Sequence, residues 1–154
     1  MPRRPYSSVY FSPDRGAART LIGFIDRAEH TLDFAIYSFT HQFIADAFIR
    51  AHERKVVIRG LLDNTQALNK SSQHKRLLEA GLDLRLDKSS AAMHNKFLVC
   101  DQNRPGKWAV ATGSFNWSEN ADSKNAENFL VARLRKTVDE YEAEFERLWA
   151  LNAP

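Results

Sequence analysis

Apolar positions along the chain switch between two periods, one near 3.6 residues and one of 2, and the switching outlines the fold. Val9-Tyr10-Phe11 reads as a short strand. Ser12 then has the chemistry of a helix N-cap, with Pro13 at the first helical position and Asp14 in the first turn. Ala18, Leu21, Ile22, Ile25 and Ala28 follow at helical spacing. From Thr31 to Tyr37 the period becomes 2, with Leu32, Phe34 and Ile36 on one side, which predicts a strand. A second helix is predicted over 42–54, with Phe43, Ile44, Ala47 and Phe48 as its apolar face. The compact apolar run 56–62 predicts a buried strand. The polar stretch 63–72 reads as a surface loop, and a helix follows to about Ala80, stopped by Gly81.

The second half is built differently. Leu82 to Leu86 alternates strictly and predicts a half-buried strand. Strands are also predicted over 96–101, 108–112 and 128–134. Asn103-Arg104-Pro105-Gly106 between the first two has the chemistry of a hairpin turn. A last helix from Thr137 presents Val138, Tyr141, Phe145, Leu148 and Trp149 on one face. Strand–helix–strand–helix–strand–helix, then hairpins and a closing helix, predict an α/β sandwich around one mixed sheet. No linker or repeat interrupts residues 1–154, so a single domain is expected.

Composition narrows the class. With 44% hydrophobic and 27% charged residues, 154 residues suffice for one globular core. No apolar run approaches the length of a membrane span, so no stable membrane insertion is expected. Arg3 and Arg4 precede no apolar segment of signal-peptide type, which leads to the expectation of a cytoplasmic protein. The one cysteine, Cys100, sits in an apolar run and is read as a core residue. The net charge of +3 is compatible with a phosphate-bearing partner without requiring one.

Candidate chemistry concentrates in two segments. In Met93-His94-Asn95-Lys96-Phe97-Leu98-Val99-Cys100-Asp101, His94 and Lys96 share a strand face about 7 Å apart, while Phe97 and Val99 point the other way into a core. A lysine offers fixed positive charge, and a neutral imidazole is nucleophilic near neutral pH. In Gly113-Ser114-Phe115-Asn116-Trp117, Gly113 permits a tight turn and Ser114 and Asn116 are short donors suited to phosphate oxygens. Antiparallel pairing through the intervening hairpin brings this turn beside His94. Phe115 and Trp117, next to the donors, are candidates to stack on bases, with packing beneath the loop as the alternative. Glu127, in Asn125-Ala126-Glu127-Asn128, is placed to hydrogen-bond the second ring nitrogen of His94 and fix its tautomer. His30, His41, His52 and His74 lie outside any such context and are read as solvated or helix-surface residues. There is no Cys-x-x-Cys and no His-Glu-x-x-His, so neither metal nor cofactor is expected.

His94, Lys96, Asp101, Gly113, Ser114 and Asn116 resemble, residue by residue, the His-x-Lys-x4-Asp and Gly-Ser-x-Asn signature of the phospholipase D superfamily. Tyr37-Ser38-Phe39-Thr40 and Asn125-Ala126-Glu127-Asn128 are similar to further segments of that family. The small size and single motif resemble its bacterial endonuclease branch. One departure is a longer stretch between Asp101 and Gly113, with the excess at 103–107. The resemblance implies a sandwich whose central mixed sheet is flanked by helices on both faces. It implies metal-free hydrolysis of DNA and/or RNA through a phosphohistidine, with Lys96, Ser114 and Asn116 holding the phosphate. Asp101 is expected to play a structural, hydrogen-bonding part at the strand end. Since the reaction needs two histidines and the chain has one signature, it also implies a homodimer sharing one site. Alternatives are a phospholipid hydrolase of the cardiolipin type and a non-catalytic nucleic-acid-binding dimer.

Overall fold

The computed structural model describes residues 6–154, so the amino-terminal Arg3 and Arg4 lie outside the described residues. Seven strands of the described residues form one mixed sheet: β1 (Ser7–Ser12), β2 (Thr31–Ile36), β3 (Val57–Leu62), β4 (Asp83–Leu86), β5 (Lys96–Cys100), β6 (Ala109–Gly113) and β7 (Glu127–Ala132). Their spatial order is β1-β7-β6-β5-β2-β3-β4. Strands β2, β3 and β4 run parallel, as expected where helices make the connections. The pairings of β2 with β5, β5 with β6, β6 with β7 and β7 with β1 are antiparallel.

Among the described residues six helices accompany the sheet: α1 (Ala17–Asp26), α2 (Gln42–Glu53), α3 (Asn64–Ala67), α4 (His74–Glu79), α5 (Glu119–Ser123) and α6 (Arg135–Leu151). Helices α1 and α2 pack on one face, where Leu32, Phe34, Ile36, Leu98 and Cys100 join Leu21, Ile25, Ile44 and Phe48 in one core. Helix α6 covers β2, β5 and β6 on the other face, where Ala35, Phe97, Val99 and Val110 meet Val138, Phe145 and Trp149. The alternation read in 31–37 and 96–101 is therefore an alternation between two cores. The central strands are buried on both sides, and helices lie on both faces of the sheet.

Several local readings change. Ser12 ends β1, which is twice the expected length, and its hydroxyl donates to the Asn125 carbonyl at 3.0 Å instead of capping a helix. Helix α1 begins only at Ala17, and a side chain from α5 accepts from its first turn: Ala18 N donates to Asp122 Oδ1 at 3.0 Å. In α2 the buried stripe is Ile44, Ala47, Phe48 and Ala51, and Phe43 is 63% exposed. The expected loop 63–72 contains α3, capped by Asp63, whose carboxylate accepts from Gln66 N. Helix α5 was not expected; the Ser118 side chain caps it by accepting from Ala121 N. Gly81 stops α4 with φ of +93°, a conformation that glycine adopts at little cost.

The excess residues between Asp101 and Gly113 lie where β5 and β6 turn, at the end of the sheet opposite His94. There Arg104 and Lys107 pair with Glu29 at 3.0 and 2.9 Å. The longer tip is thus fastened to the turn before β2. Among the described residues no helix is long and apolar enough to cross a membrane.

Candidate active site

The site forms where β2 and β6 end and β5 and β7 begin, here the upper end of the sheet. Pairing of Ile36 with Lys96, of Phe97 with Thr112 and of Gly113 with Phe129 sets the register. Gly113 is required by contact: a Cβ there would lie 2.3 Å from the Asn128 carbonyl oxygen and 2.6 Å from Phe129 Cα. No larger residue fits between β6 and β7 at this point. His94, Asn95, Lys96, Thr112, Gly113, Ser114, Asn116 and Glu127 line an open cleft of about 470 Å³. Six of the nine expected site residues are therefore brought together.

His94 is exposed, two residues before Lys96. Lys96 Nζ is 3.1 Å from His94 Nδ1 and donates to the His94 carbonyl at 2.7 Å. Because an ammonium has only donors, the ring nitrogen facing it is the acceptor. Burial lowers the Lys96 ammonium from its ordinary range, and the nearby Glu127 carboxylate opposes that shift. Asn116 Oδ1 accepts from Ser38 N at 3.3 Å, which leaves the Nδ2 amide protons as its donors toward the cleft.

Two expected pairings come out differently. Glu127 accepts from Ser114 Oγ in a very short hydrogen bond and from Asn125 Nδ2 at 3.5 Å. A bond from Glu127 to His94 is not among the hydrogen bonds of the described residues. Ser114 stands in the way, because the same hydroxyl also accepts from Asn128 N at 3.1 Å and is pinned across the β6–β7 pair. Its proton is committed to Glu127, so Ser114 reaches a phosphate oxygen only by releasing that carboxylate.

Asp101 lies roughly 20 Å from His94, at the other end of β5. It is 2% exposed and accepts from the backbone amides of Glu29, His30 and Thr31 at 2.7–3.2 Å. It shapes the turn between α1 and β2. Phe115 and Trp117 are each 3% exposed and do not line the cleft, which removes them from the expected base-stacking set. Trp117 packs on Phe34, Phe39 and Phe48 with ring centroids 5.0–5.4 Å apart, and Phe115 packs on Phe129. Their side chains fill the space beneath the loop that carries Asn116. Cys100 is buried, and that burial pushes its thiol well above the ordinary range, as fits a core residue.

His41 is also not the surface residue that was expected. It is 4% exposed, with Nε2 3.6 Å from Glu119 and 3.7 Å from Asp122, so it ties α5 to the start of α2. Two residues beside the cleft, Tyr37 of the family-like segment 37–40 and Asp63, were not among the expected site residues. The Tyr37 ring lies 4.4 Å from the His94 ring, with Lys96 Nζ 5.2 Å away. Asp63 is 4% exposed and accepts from Met93 N at 3.0 Å, directly before His94. Among the described residues no group of three or more His, Cys, Asp or Glu is arranged to hold a metal ion.

A family model described as "Cardiolipin synthase, PLD-like domain" matches residues 21–149, and the chain belongs to that phospholipase D-like family. Within it, the chain is 38% identical over 123 residues to the mitochondrial cardiolipin hydrolase of Xenopus tropicalis, covering 80% of this chain and 56% of that one. It is 34% identical over 134 residues to a phospholipase D of Rickettsia felis, covering 87% and 64%. Among solved structures, a phospholipase D family member, Nuc from Salmonella typhimurium, superposes with a TM-score of 0.86 at 25% identity, covering 97% of both chains. The chain spans a little over half the length of the cardiolipin hydrolases it matches.

Proposed function

We propose that the chain is a phosphodiesterase, an endonuclease that hydrolyses DNA and/or RNA through a phosphohistidine on His94 without a metal ion. The observation that carries this reading is the cleft itself. An imidazole, an ammonium and an amide converge in an open space whose lining residues are polar or glycine. That suits a phosphate in a polar backbone better than one attached to acyl chains. With Phe115 and Trp117 in the core, the substrate is held by its phosphate and not by stacking on these rings. The extent of the superposition on Nuc, 97% of both chains, supports the comparison with the single-motif branch.

A ring nitrogen of His94 attacks phosphorus and the bond to the leaving oxygen breaks. That oxygen takes its proton from His94 of a second copy. The same histidine then removes a proton from water, whose oxygen attacks phosphorus and breaks the P–N bond. Lys96 and Asn116 offset the charge that builds on the phosphate oxygens. Since one chain holds one such His–Lys pair, the working unit is a homodimer with a shared site.

A second reading, phospholipid hydrolysis, is favoured by one observation: the curated relatives named above are a cardiolipin hydrolase and a phospholipase D. The test incubates the protein in excess EDTA with plasmid DNA, single-stranded DNA, RNA and cardiolipin-containing vesicles, with His94→Ala alongside. Cleavage of nucleic acid that His94→Ala abolishes is the expected result. Hydrolysis confined to the vesicles would select the second reading, and activity recovered only on adding a divalent ion would refute the mechanism. Mixing His94→Ala chains with wild type is expected to give heterodimers without normal turnover; full activity from a verified monomer would sink the shared site.

A further inference from the structure

His94 is gripped from both sides of the chain. Before it, Met93 N donates to Asp63 Oδ2 at 3.0 Å. After it, the Asn95 carbonyl accepts from Tyr37 N at 2.9 Å. The Tyr37 ring rests against the imidazole, and the Tyr37 hydroxyl accepts from Gln66 Nε2 at 3.3 Å. Gln66 N in turn donates to Asp63 Oδ1 at 2.9 Å. The contacts close a circuit: Asp63 to Met93, His94, Tyr37, Gln66 and back to Asp63. The carboxylate fixes the backbone of His94 through one oxygen and its ring, by way of Gln66 and Tyr37, through the other. Asp63 is itself held at the end of β2, where its amide donates to the Ile36 carbonyl at 3.2 Å.

Asp63 is buried and does not line the cleft, so it touches no substrate. We propose that Asp63 is the positioning residue for the His94 imidazole, acting through Met93 on its backbone and through Gln66 and Tyr37 on its ring. Only a carboxylate offers an acceptor to each of the two amides at once; an asparagine turns one of its two polar atoms into a donor facing an N–H. A nucleophile has to be held close to its attack geometry, and misplacement by about 1 Å costs on the order of 100-fold in rate. The rate consequence rests on the reading of His94 as nucleophile. The ring geometry does not.

The test uses Asp63→Asn in the full chain, with the ring Cε1–H resonances of the 5 histidines followed by NMR. The His94 resonance is expected to move and broaden, while those of His30 and His52, far from the circuit, stay in place. On whichever nucleic acid the wild type cleaves, kcat is expected to fall about 10- to 100-fold with KM unchanged. Val99→Ala, a core truncation in the same strand, is the control for lost stability and should move neither quantity. If Asp63→Asn does not fold, Tyr37→Leu removes the ring contact and should displace the same resonance. A folded Asp63→Asn protein with the His94 resonance unmoved and kcat at the wild-type level overturns the proposal, and so does an equal response in Val99→Ala. If the wild type cleaves no nucleic acid, the functional reading fails while the resonance still decides the positioning.

Discussion

The two ends of β5 carry the two halves of one signature, and they are organised in opposite ways. At the lower end Asp101 is buried, and its carboxylate is saturated by three backbone amides that have nowhere else to go. At the upper end His94 is exposed, and Lys96 and Asn116 keep donors turned toward an open cleft. Saturated polar groups make a turn rigid, and polar groups left with capacity make a place for a ligand. The Asp and the His-x-Lys of the motif are thus linked by four residues of strand, not by a shared chemical task.

The largest effect expected from breaking this contrast is His94→Ala. Its removal should lower turnover at least about 1,000-fold, since the proposed nucleophile is then gone. Because the side chain is exposed, the urea midpoint should barely move. A variant that loses stability in proportion to activity would place His94 in the structure and not in the chemistry.

Asp101→Ala is the reverse experiment and the next largest in effect. It leaves three amides of the α1–β2 turn without their acceptor, at a cost of about 2–4 kcal/mol in urea denaturation. Activity per folded molecule should stay near that of the wild type, because the lesion lies roughly 20 Å from the cleft. A loss of kcat at full folding would rejoin the two ends of the strand functionally.

What the sequence reveals follows from the range over which each signal acts. The period-2 pattern of 96–101 is local, so the shared face of His94 and Lys96 and the opposite face of Phe97 and Val99 could both be read. Hairpin pairing is nearly local, so Gly113 was placed beside the site. Ser12 was misread because its cap chemistry is local, whereas its pairing with Glu127 of β7 is set by chain more than 100 residues away. Phe43 and Ile44 are adjacent, and a helical stripe accommodates either; only packing against α1 and the sheet decided for Ile44. Asp63 opens a polar stretch that reads as a loop, and the amide that gives it a purpose belongs to Met93, thirty residues on. Glu127 was drawn to Ser114 by the register of β6 and β7, which no single segment encodes.

A third carboxylate combines features of both ends, and its expected effect appears only as the pH changes. Glu142 of α6 is 7% exposed, like Asp101, but its Oε2 has no hydrogen-bond partner among the described residues. Arg59 gives most of its hydrogen bonds elsewhere, to Asp33 at 2.8 and 2.9 Å and to Glu146 at 2.6 Å, and reaches Glu142 only at 3.4 Å. Burial, with Asp33 adding to it, pushes the Glu142 carboxyl up to about 8. The unfolded chain releases this proton near pH 4.3, so between there and pH 8 the folded state binds the extra proton. Stability from this group is therefore full below the unfolded value and declines as pH rises toward 8, with a slope of at most about 1.4 kcal/mol per unit. Glu142→Gln, which cannot ionise, should remove that slope. Its advantage over wild type in urea denaturation should be larger at pH 9 than at pH 5. Parallel stability curves for the two proteins across that range would mean that Glu142 finds in Arg59 the saturation that Asp101 finds in its three amides.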